Sequence, residues 1–341
     1  MGVSEFLRTT PGPKRPVYER AWADYQRRGL RASDAYLQSF VKYEKINFTK
    51  KADPVPRLIQ PRGPVFNFCV GRYLRPMEHK VYEALDSLWG GKTVMKGYNA
   101  KDTASHIVDA WNSLDDPVAI GLDAMRFDQH VSREALEFEH SIYKDCNTDP
   151  EFATLLEQQL HNVGVCRTTD GFTIRYEVDG CRMSGDMNTA LGNVLLMVTL
   201  VFHFCVEHRL IGAGHPSLRG SAAGPGQAWM KAKLINNGDD CTLLVERKYA
   251  KMVRRCIYGW FLKYGFQLTV EDTVDEVERI EFCQAHPVLC FDGWRMVRNL
   301  DALSKDTLCL RVGIEAEMWM SAVHECGRAL AGCVPIYTSF Y

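Results

Sequence analysis

Apolar residues along this chain change their period at intervals, and each change predicts an element. Val118-Ala119-Ile120-Gly121-Leu122 is a short unbroken apolar run ending on Asp123, the pattern of a buried strand closed by an acid. Within Leu234–Glu246, apolar runs flank Asn236-Asn237-Gly238-Asp239-Asp240, the composition of a tight turn between paired strands. Val288–Phe291 and Trp294–Val297 repeat that arrangement around Asp292-Gly293. Ile280–Cys283 reads as one more strand, and the segment after Tyr264-Gly265-Phe266 reads as a loop. Helical segments are predicted within residues 1–50, over most of 75–115, over 131–145, at Tyr249–Tyr264 and in part of 301–341. Cys181–Asn193 is a polar, glycine-containing loop entering a helix, where Thr189 and Asn193 share one face at i and i+4. That helix continues as the apolar run Val194–Val206, expected to be buried, too short to span a bilayer and containing His203. Residues 212–226 form a Gly-rich linker into a strand, so no phosphate cradle is expected there. Lys50–Arg62 carries three prolines within eight residues, which forbids a helix and favours an extended rod.

The 341 residues suffice for two domain-sized units or one larger interlaced body. With 46% hydrophobic and 24% charged residues, the composition is that of a soluble globular protein. A net charge of −1 conceals an asymmetry: residues 1–80 hold 16 Lys/Arg against 7 Asp/Glu, and residues 81–180 hold 8 against 18. A basic lobe beside an acidic one suits a polyanion and a metal better than one uniform partner. Twelve cysteines at scattered spacings, with no Cys-x-x-Cys, predict neither a zinc framework nor a disulfide ladder. They read as reduced, intracellular core residues. His203, Cys205 and His208 come nearest to a metal cluster, but their apolar surroundings fit a packed helix. No signal peptide is visible, and Phe6 stands where an N-myristoylation pattern requires Ser or Thr. The chain is therefore not expected to be a membrane protein itself.

Asp239 and Asp240 at a hairpin tip would repel each other, and a hard divalent cation such as Mg²⁺ would relieve that repulsion. Taken alone, the turn is equally well explained as solvated surface. Further carboxylates change the balance. Asp123 ends its strand and Asp128 follows five residues later, so both serve one site only if the strand stops near Asp123. Arg57 and Arg62 lie on the extended stretch, and arginine binds phosphate bidentately. A straight strand would point them apart; a bend at Pro61 would aim both inward.

In chain order, Asp123-x4-Asp128, Ser184-Gly185-x3-Thr189-x3-Asn193 and Gly238-Asp239-Asp240 resemble motifs A, B and C of viral RNA-dependent RNA polymerases. The wording Arg126-Phe127-Asp128-Gln129-His130-Val131-Ser132 and Met183-Ser184-Gly185-Asp186-Met187-Asn188-Thr189 is similar to the tombusvirus-like polymerases of plant viruses. The Arg57/Arg62 stretch resembles their motif F, and Glu281-Phe282-Cys283-Gln284 stands in the place of motif E. The resemblance runs from about Lys50 to the C-terminus, and the ordered set makes it specific.

The resemblance implies an α+β, right-hand polymerase fold with fingers, an antiparallel palm sheet and a small thumb. Fingers would come from residues 1–116 and 133–178, palm from 117–132 (motif A) and 179–285 (motifs B to E), and a thumb short of part of its length from 286–341. It implies an RNA-directed RNA polymerase that replicates a positive-strand genome with two Mg²⁺ ions, Mn²⁺ serving as a substitute. Asp123 and Asp239 would bridge the ions, with Asp240 in support. Arg57 and Arg62 would neutralise the triphosphate, Asp128, Thr189 and Asn193 would surround the ribose, and Ser184-Gly185 would form an adaptable loop at template or nucleotide. The implied partners are RNA template and product, ribonucleoside triphosphates, an upstream membrane-anchored replicase protein and host factors, at membrane-associated sites in the host cytoplasm.

Two departures from the family pattern stand out. Such polymerases often carry a lysine after the motif C helix, as the acid for pyrophosphate. Gln267–Thr273 has none and Lys263 precedes it, so that acid is unassigned. Tombusvirus-like polymerases are also usually longer at both ends, so the expectation is a polymerase core. Two other classes stay in view. A reverse transcriptase shares the palm logic but usually sets a bulky aromatic where this chain has Asp128. A non-catalytic RNA-binding replicase subunit would need only the basic lobe, and gives no reason for three carboxylates at palm spacing.

Overall fold

The chain opens with helices α1 (Val3–Arg8) and α2 (Arg15–Arg28), then strands β1 (Leu37–Val41) and β2 (Leu58–Ile59). Helices α3 (Pro64–Leu88) and α4 (Ala100–Asn112) lead to strand β3 (Pro117–Ala124) and the one-turn helix α5 (Phe127–His130). Helices α6 (Arg133–Cys146) and α7 (Pro150–Glu157) precede a hairpin of β4 (His161–Arg167) and β5 (Thr173–Asp179). Then come α8 (Thr189–Glu207), β6 (Ala232–Asn236), β7 (Asp240–Glu246), α9 (Arg247–Lys263) and β8 (Leu268–Val274). A hairpin of β9 (Ala285–Cys290) and β10 (Gly293–Arg298) and a helix at Ala316–Ala331 complete the order. The computed structural model describes residues 1–44, 53, 55–168, 170–212, 230–299 and 313–331. Residues 50–52 and 54 of the proline-rich stretch, 213–226 of the Gly-rich linker, 300–312 and 332–341 lie outside the described residues.

Four strands form the central sheet in the order β6-β7-β3-β8, each pair antiparallel. Period-two alternation sends the side chains of each strand into two different cores. Val118, Ile120 and Leu122 of β3, with Cys241, Leu243 and Val245 of β7, join a core that includes Val198 and Phe204 of α8 and Ile257 and Phe261 of α9. Ala119 and Leu244 join the opposite core, with Ile107 of α4 and Met296 of β10. Apolar cover on both faces explains why β3 and β7 are written as unbroken apolar runs. The same parity puts Asp123 with Ala119 and Asp240 with Leu244, so both acids belong to the α4 face.

A second sheet has the order β2-β1-β4-β5, with β1 parallel to β4. Its Tyr176 hydroxyl accepts from Gln60 Nε2 at 2.8 Å and shares a 2.5 Å hydrogen bond with Ser39. That contact fixes the proline-rich stretch onto the sheet. The strand ends where sequence required: Arg126, with φ of 51°, reverses the chain just after β3.

Three expectations are corrected. Leu37–Val41 is a strand inside a region read as helical, with Leu37 buried and Gln38 exposed in alternation. The segment read as a loop after Phe266 forms β8, whose consecutive acidic residues Glu271 and Asp272 hide the strand signal. Ile280–Cys283 is not a strand: Phe282 makes one bridge to Ala285 across Cys283 and Gln284, both left-handed at φ 52° and 59°. Helix α8 is also longer than its apolar run. Its 19 residues suffice by length and composition to cross a bilayer, but 67% of the apolar window is buried inside the protein.

Glu139 of α6 and Arg182, in the loop before α8, form an ion pair with side chains 0% and 1% exposed. Gly192 lies directly against both charged groups, where a Cβ would collide with them. Alanine is the better helix former by about 1 kcal/mol, yet Gly192→Ala is expected to destabilise the fold by about 1–3 kcal/mol through overpacking. Urea unfolding measures it, and equal or greater stability would contradict the packing described.

Candidate active site

Antiparallel pairing of β3 with β7 sets Asp123 directly opposite Asp240. The turn from β6 into β7 is shaped by Asn236, which is wholly buried. Its Oδ1 accepts from the Gly238 N–H at 3.0 Å and its Nδ2 donates to the Gly238 carbonyl at 2.7 Å. Gly238 takes a φ of 100°, open to glycine at no steric cost. Asp239 therefore leaves the turn beside the Asp123–Asp240 pair.

Like charges in a cleft raise each other's proton affinity. The Asp239 carboxyl is pushed up by desolvation, helped by Asp128 and Asp123 and opposed by Lys96. Asp240 is pushed up by desolvation and by Asp239 and Asp123, while the Cys283 N–H, donating to its Oδ2 at 3.0 Å, pulls the other way. Among the described residues, no three acidic, histidine or cysteine side chains converge closely enough to hold an ion as they stand. The donor set nevertheless fits a hard divalent cation. It is all carboxylate, it is partly desolvated, and its mutual repulsion is relieved by a cation.

Asp128 returns toward this end of the sheet after the Arg126 reversal. Its Oδ1 accepts from Asn193 Nδ2 and its Oδ2 from Ser184 Oγ, each at 2.8 Å. Residues from two separate motifs thus meet at one carboxylate. Asn193 Oδ1 in turn accepts from Arg182 Nε at 3.0 Å, which sets the amide's orientation. Thr189 does not join them: its hydroxyl donates to the Met183 carbonyl at 3.1 Å and braces the loop. Gly185, at φ 138°, lies under Pro61, where a Cβ would stand 3.0 Å from the proline N and Cα. The proline-rich stretch crosses the Ser184-Gly185 loop there, with the Gln60 N–H donating to the Ser184 carbonyl at 2.8 Å.

The two arginines part company. Arg57 is exposed, and among the described residues its guanidinium pairs with Glu44, at 3.3 Å. Arg62 is buried, and the structure does not bring it to a triphosphate. All five of its N–H groups are committed, to Asp186, Asn162 and the carbonyls of Ala35 and Gln158. The bend at Pro61 turns it into the protein. Lys263 ends α9, where its charge acts on Glu207. Cys205 is buried in α8, while His203 stands on its exposed side against Trp260 and His208, just past the helix end, against Phe204.

A sequence profile of viral RNA dependent RNA polymerase matches residues 1–214 and 222–341. The chain belongs to that family. It is 44% identical over 97% of its length to the RNA-directed RNA polymerase of Turnip crinkle virus, covering 40% of that protein. It is 44% identical over its whole length to that of Pothos latent virus, covering 44% of it. With that of Tomato bushy stunt virus (strain Cherry) the identity is 42% over 100% of this chain and 40% of the relative. The chain thus spans less than half the length of these relatives.

Several residues of this candidate site carry little or no signal in the sequence. Asn236 carries a local signal, an Asx side chain two residues before a turn glycine. Arg182, Glu139 and Lys96 carry none, because their roles depend on packing between distant segments.

The two arginines make the assignment testable. Arg62→Ala leaves Asp186 buried without its cation and is expected to cost about 3–5 kcal/mol of stability. Arg57→Ala, at an exposed position, should change stability by no more than about 0.5 kcal/mol. Chemical denaturation of both variants measures this, and equal stabilities would contradict the placement of Arg62.

Proposed function

We propose that this chain catalyses template-directed RNA synthesis from ribonucleoside triphosphates in a right-hand architecture. The β6-β7-β3-β8 sheet would be the palm, residues 1–116 and 133–178 the fingers, and residues 286–341 the thumb. One observation carries the reading: Asp123 faces Asp240 across paired strands, with Asp239 adjacent and the Asp128–Asn193–Ser184 cluster alongside. A structural or purely RNA-binding role has no use for three crowded carboxylates. Nothing in such a role offsets their repulsion.

Asp123 and Asp239 would hold Mg²⁺, with Asp240, itself held by the Cys283 N–H, in support. Bound there, a pair of ions would activate the attacking 3′-oxygen and steady the leaving one. The chain's own residues do the rest. Exposed Arg57 reaches for the triphosphate with a guanidinium that its partner Glu44 holds weakly. Asp128 accepts from, and Asn193 donates to, groups of the size and polarity of a ribose 2′-hydroxyl. Ser184 lies on the same carboxylate and can exchange that bond for one to the nucleotide. The basic N-terminal region supplies the sequence-independent attraction for template and product RNA. A reverse transcriptase would exclude the 2′-hydroxyl, and the open polar cluster at Asp128 favours ribonucleotides instead.

Primer-directed ATP incorporation with Mg²⁺ or Mn²⁺ tests the activity, and Asp239→Asn should abolish it while leaving RNA affinity nearly unchanged. Undiminished synthesis by that variant would remove Asp239 from the ligand set. Sugar choice is the finer test. Asp128→Ala and Asn193→Ala should each reduce the kcat/KM preference for ATP over dATP by roughly 1–3 kcal/mol, about ten- to a hundredfold. Because the two side chains share one hydroxyl, the double variant should lose less than the sum. Equal losses on both sugars would show a structural role for the cluster.

A further inference from the structure

Lys96 stands beside the Gly238 turn. Its backbone is tied there. Asn236 donates its N–H to the Thr93 carbonyl and accepts from the Met95 N–H, each at 2.8 Å, so residues 93–95 add to the free edge of β6. Asp86 secures the same loop by accepting from the N–H groups of Thr93 and Val94. The residue that brackets Gly238 with its side chain therefore holds the Lys96 loop with its backbone.

Lys96 Nζ lies 3.9 Å from the point a Cβ on Gly238 would occupy, and Asn193 Cβ lies 3.9 Å from the same point. The glycine is flanked by the ribose cluster and by an ammonium. Neighbouring Lys92 is paired with Asp86 at 3.0 Å. Among the described residues, by contrast, no hydrogen bond or ion pair takes up the Lys96 ammonium. Its charge also favours the ionised forms of Asp239 and Cys283, in keeping with its place beside the Gly238 turn. An uncommitted cation within reach of an acidic ion site suits an anion bound next to that site.

Under the polymerase reading, on which this inference rests, the incoming nucleotide's sugar meets Asp128 and Asn193. The nucleotide it joins must then approach from the other flank of the turn. We propose that Lys96 binds a phosphate of that priming nucleotide, in the growing RNA strand or in the first nucleotide of an unprimed start. The loop 93–95, built onto β6, sets how far the ammonium reaches.

The test compares wild type, Lys96→Gln and Lys96→Arg. Fluorescence anisotropy without divalent metal reads the affinity for an RNA hairpin with a recessed 3′ end and for an unstructured single strand. Lys96→Gln should weaken hairpin binding roughly tenfold and lower its salt slope by about 0.7–0.9. It should leave the single strand and the melting temperature unchanged, and Lys96→Arg should restore the affinity. In synthesis, a raised KM for primer–template with unchanged KM for the incoming ATP assigns the phosphate to the growing strand. A raised KM for the first nucleotide in unprimed reactions, with unchanged hairpin affinity, assigns it to the initiating triphosphate. The proposal is overturned if neither moves, if the single strand weakens equally, or if only the Mg²⁺ requirement changes. Should wild type bind the hairpin through Lys96 yet incorporate nothing, the contact stands and the polymerase reading fails.

Discussion

Everything at the candidate site depends on the register of β3 against β7. Side chains alternate with a period of two, so a slip of one residue would carry Asp123 into the core lined by Val118 and Ile120. Apolar burial on both faces of the sheet prevents that slip, because every strand residue would exchange cores at once. Hydrophobic packing thus does the work of holding two mutually repelling acids opposite each other. The cost is local and falls at the strand ends, where desolvation and like charge push both carboxyls of the Asp239-Asp240 pair upward. Under the proposed reading, a divalent cation bound by these acids would offset that repulsion.

A second constraint runs beneath the site. From Asp128 the hydrogen bonds pass through Asn193 to Arg182 and Glu139, then through Asn188 and Gln159 to Asp186 and Arg62. Two buried ion pairs, Arg182–Glu139 and Arg62–Asp186, anchor this chain. Buried pairs of this kind contribute little net stability compared with apolar replacements, but breaking one is costly. What they provide here is orientation. The Asn193 amide cannot flip without losing a charged partner, so its N–H₂ stays turned toward Asp128. The network joins the proline-rich stretch and the loop before α8 to the Asp128–Asn193–Ser184 cluster, while the Arg57 end of that stretch stays exposed.

Much of this was readable from the residues, for physical reasons that differ from place to place. The β6–β7 turn and the β9–β10 hairpin carry local turn chemistry, and their strands alternate or run apolar as burial demands. The end of β3 near Asp123 followed from requiring that Asp123 and Asp128 serve one site. Strand β8 was missed because Glu271 and Asp272 interrupt its apolar pattern, Glu271 lying over Gly121 of β3, and its signal is pairing with β3, not composition. Arg62 was misplaced for a similar reason. The sequence shows a basic, extended stretch, but not the buried Asp186 that captures one arginine while the other stays exposed. Lys96 is farther still from any local rule, since its position is set by a bridge between Val94 and Asn236, 142 residues apart by their numbering.

The central claim is that carboxylates brought together across β3 and β7 form a divalent-cation site. Mn²⁺ binding followed by electron paramagnetic resonance, in the presence of ATP, measures it without requiring turnover. Wild type should bind the ion tightly, and Asp123→Asn and Asp240→Asn should each lose most of that affinity while keeping wild-type circular dichroism. Unchanged Mn²⁺ stoichiometry and affinity in both folded variants would contradict it.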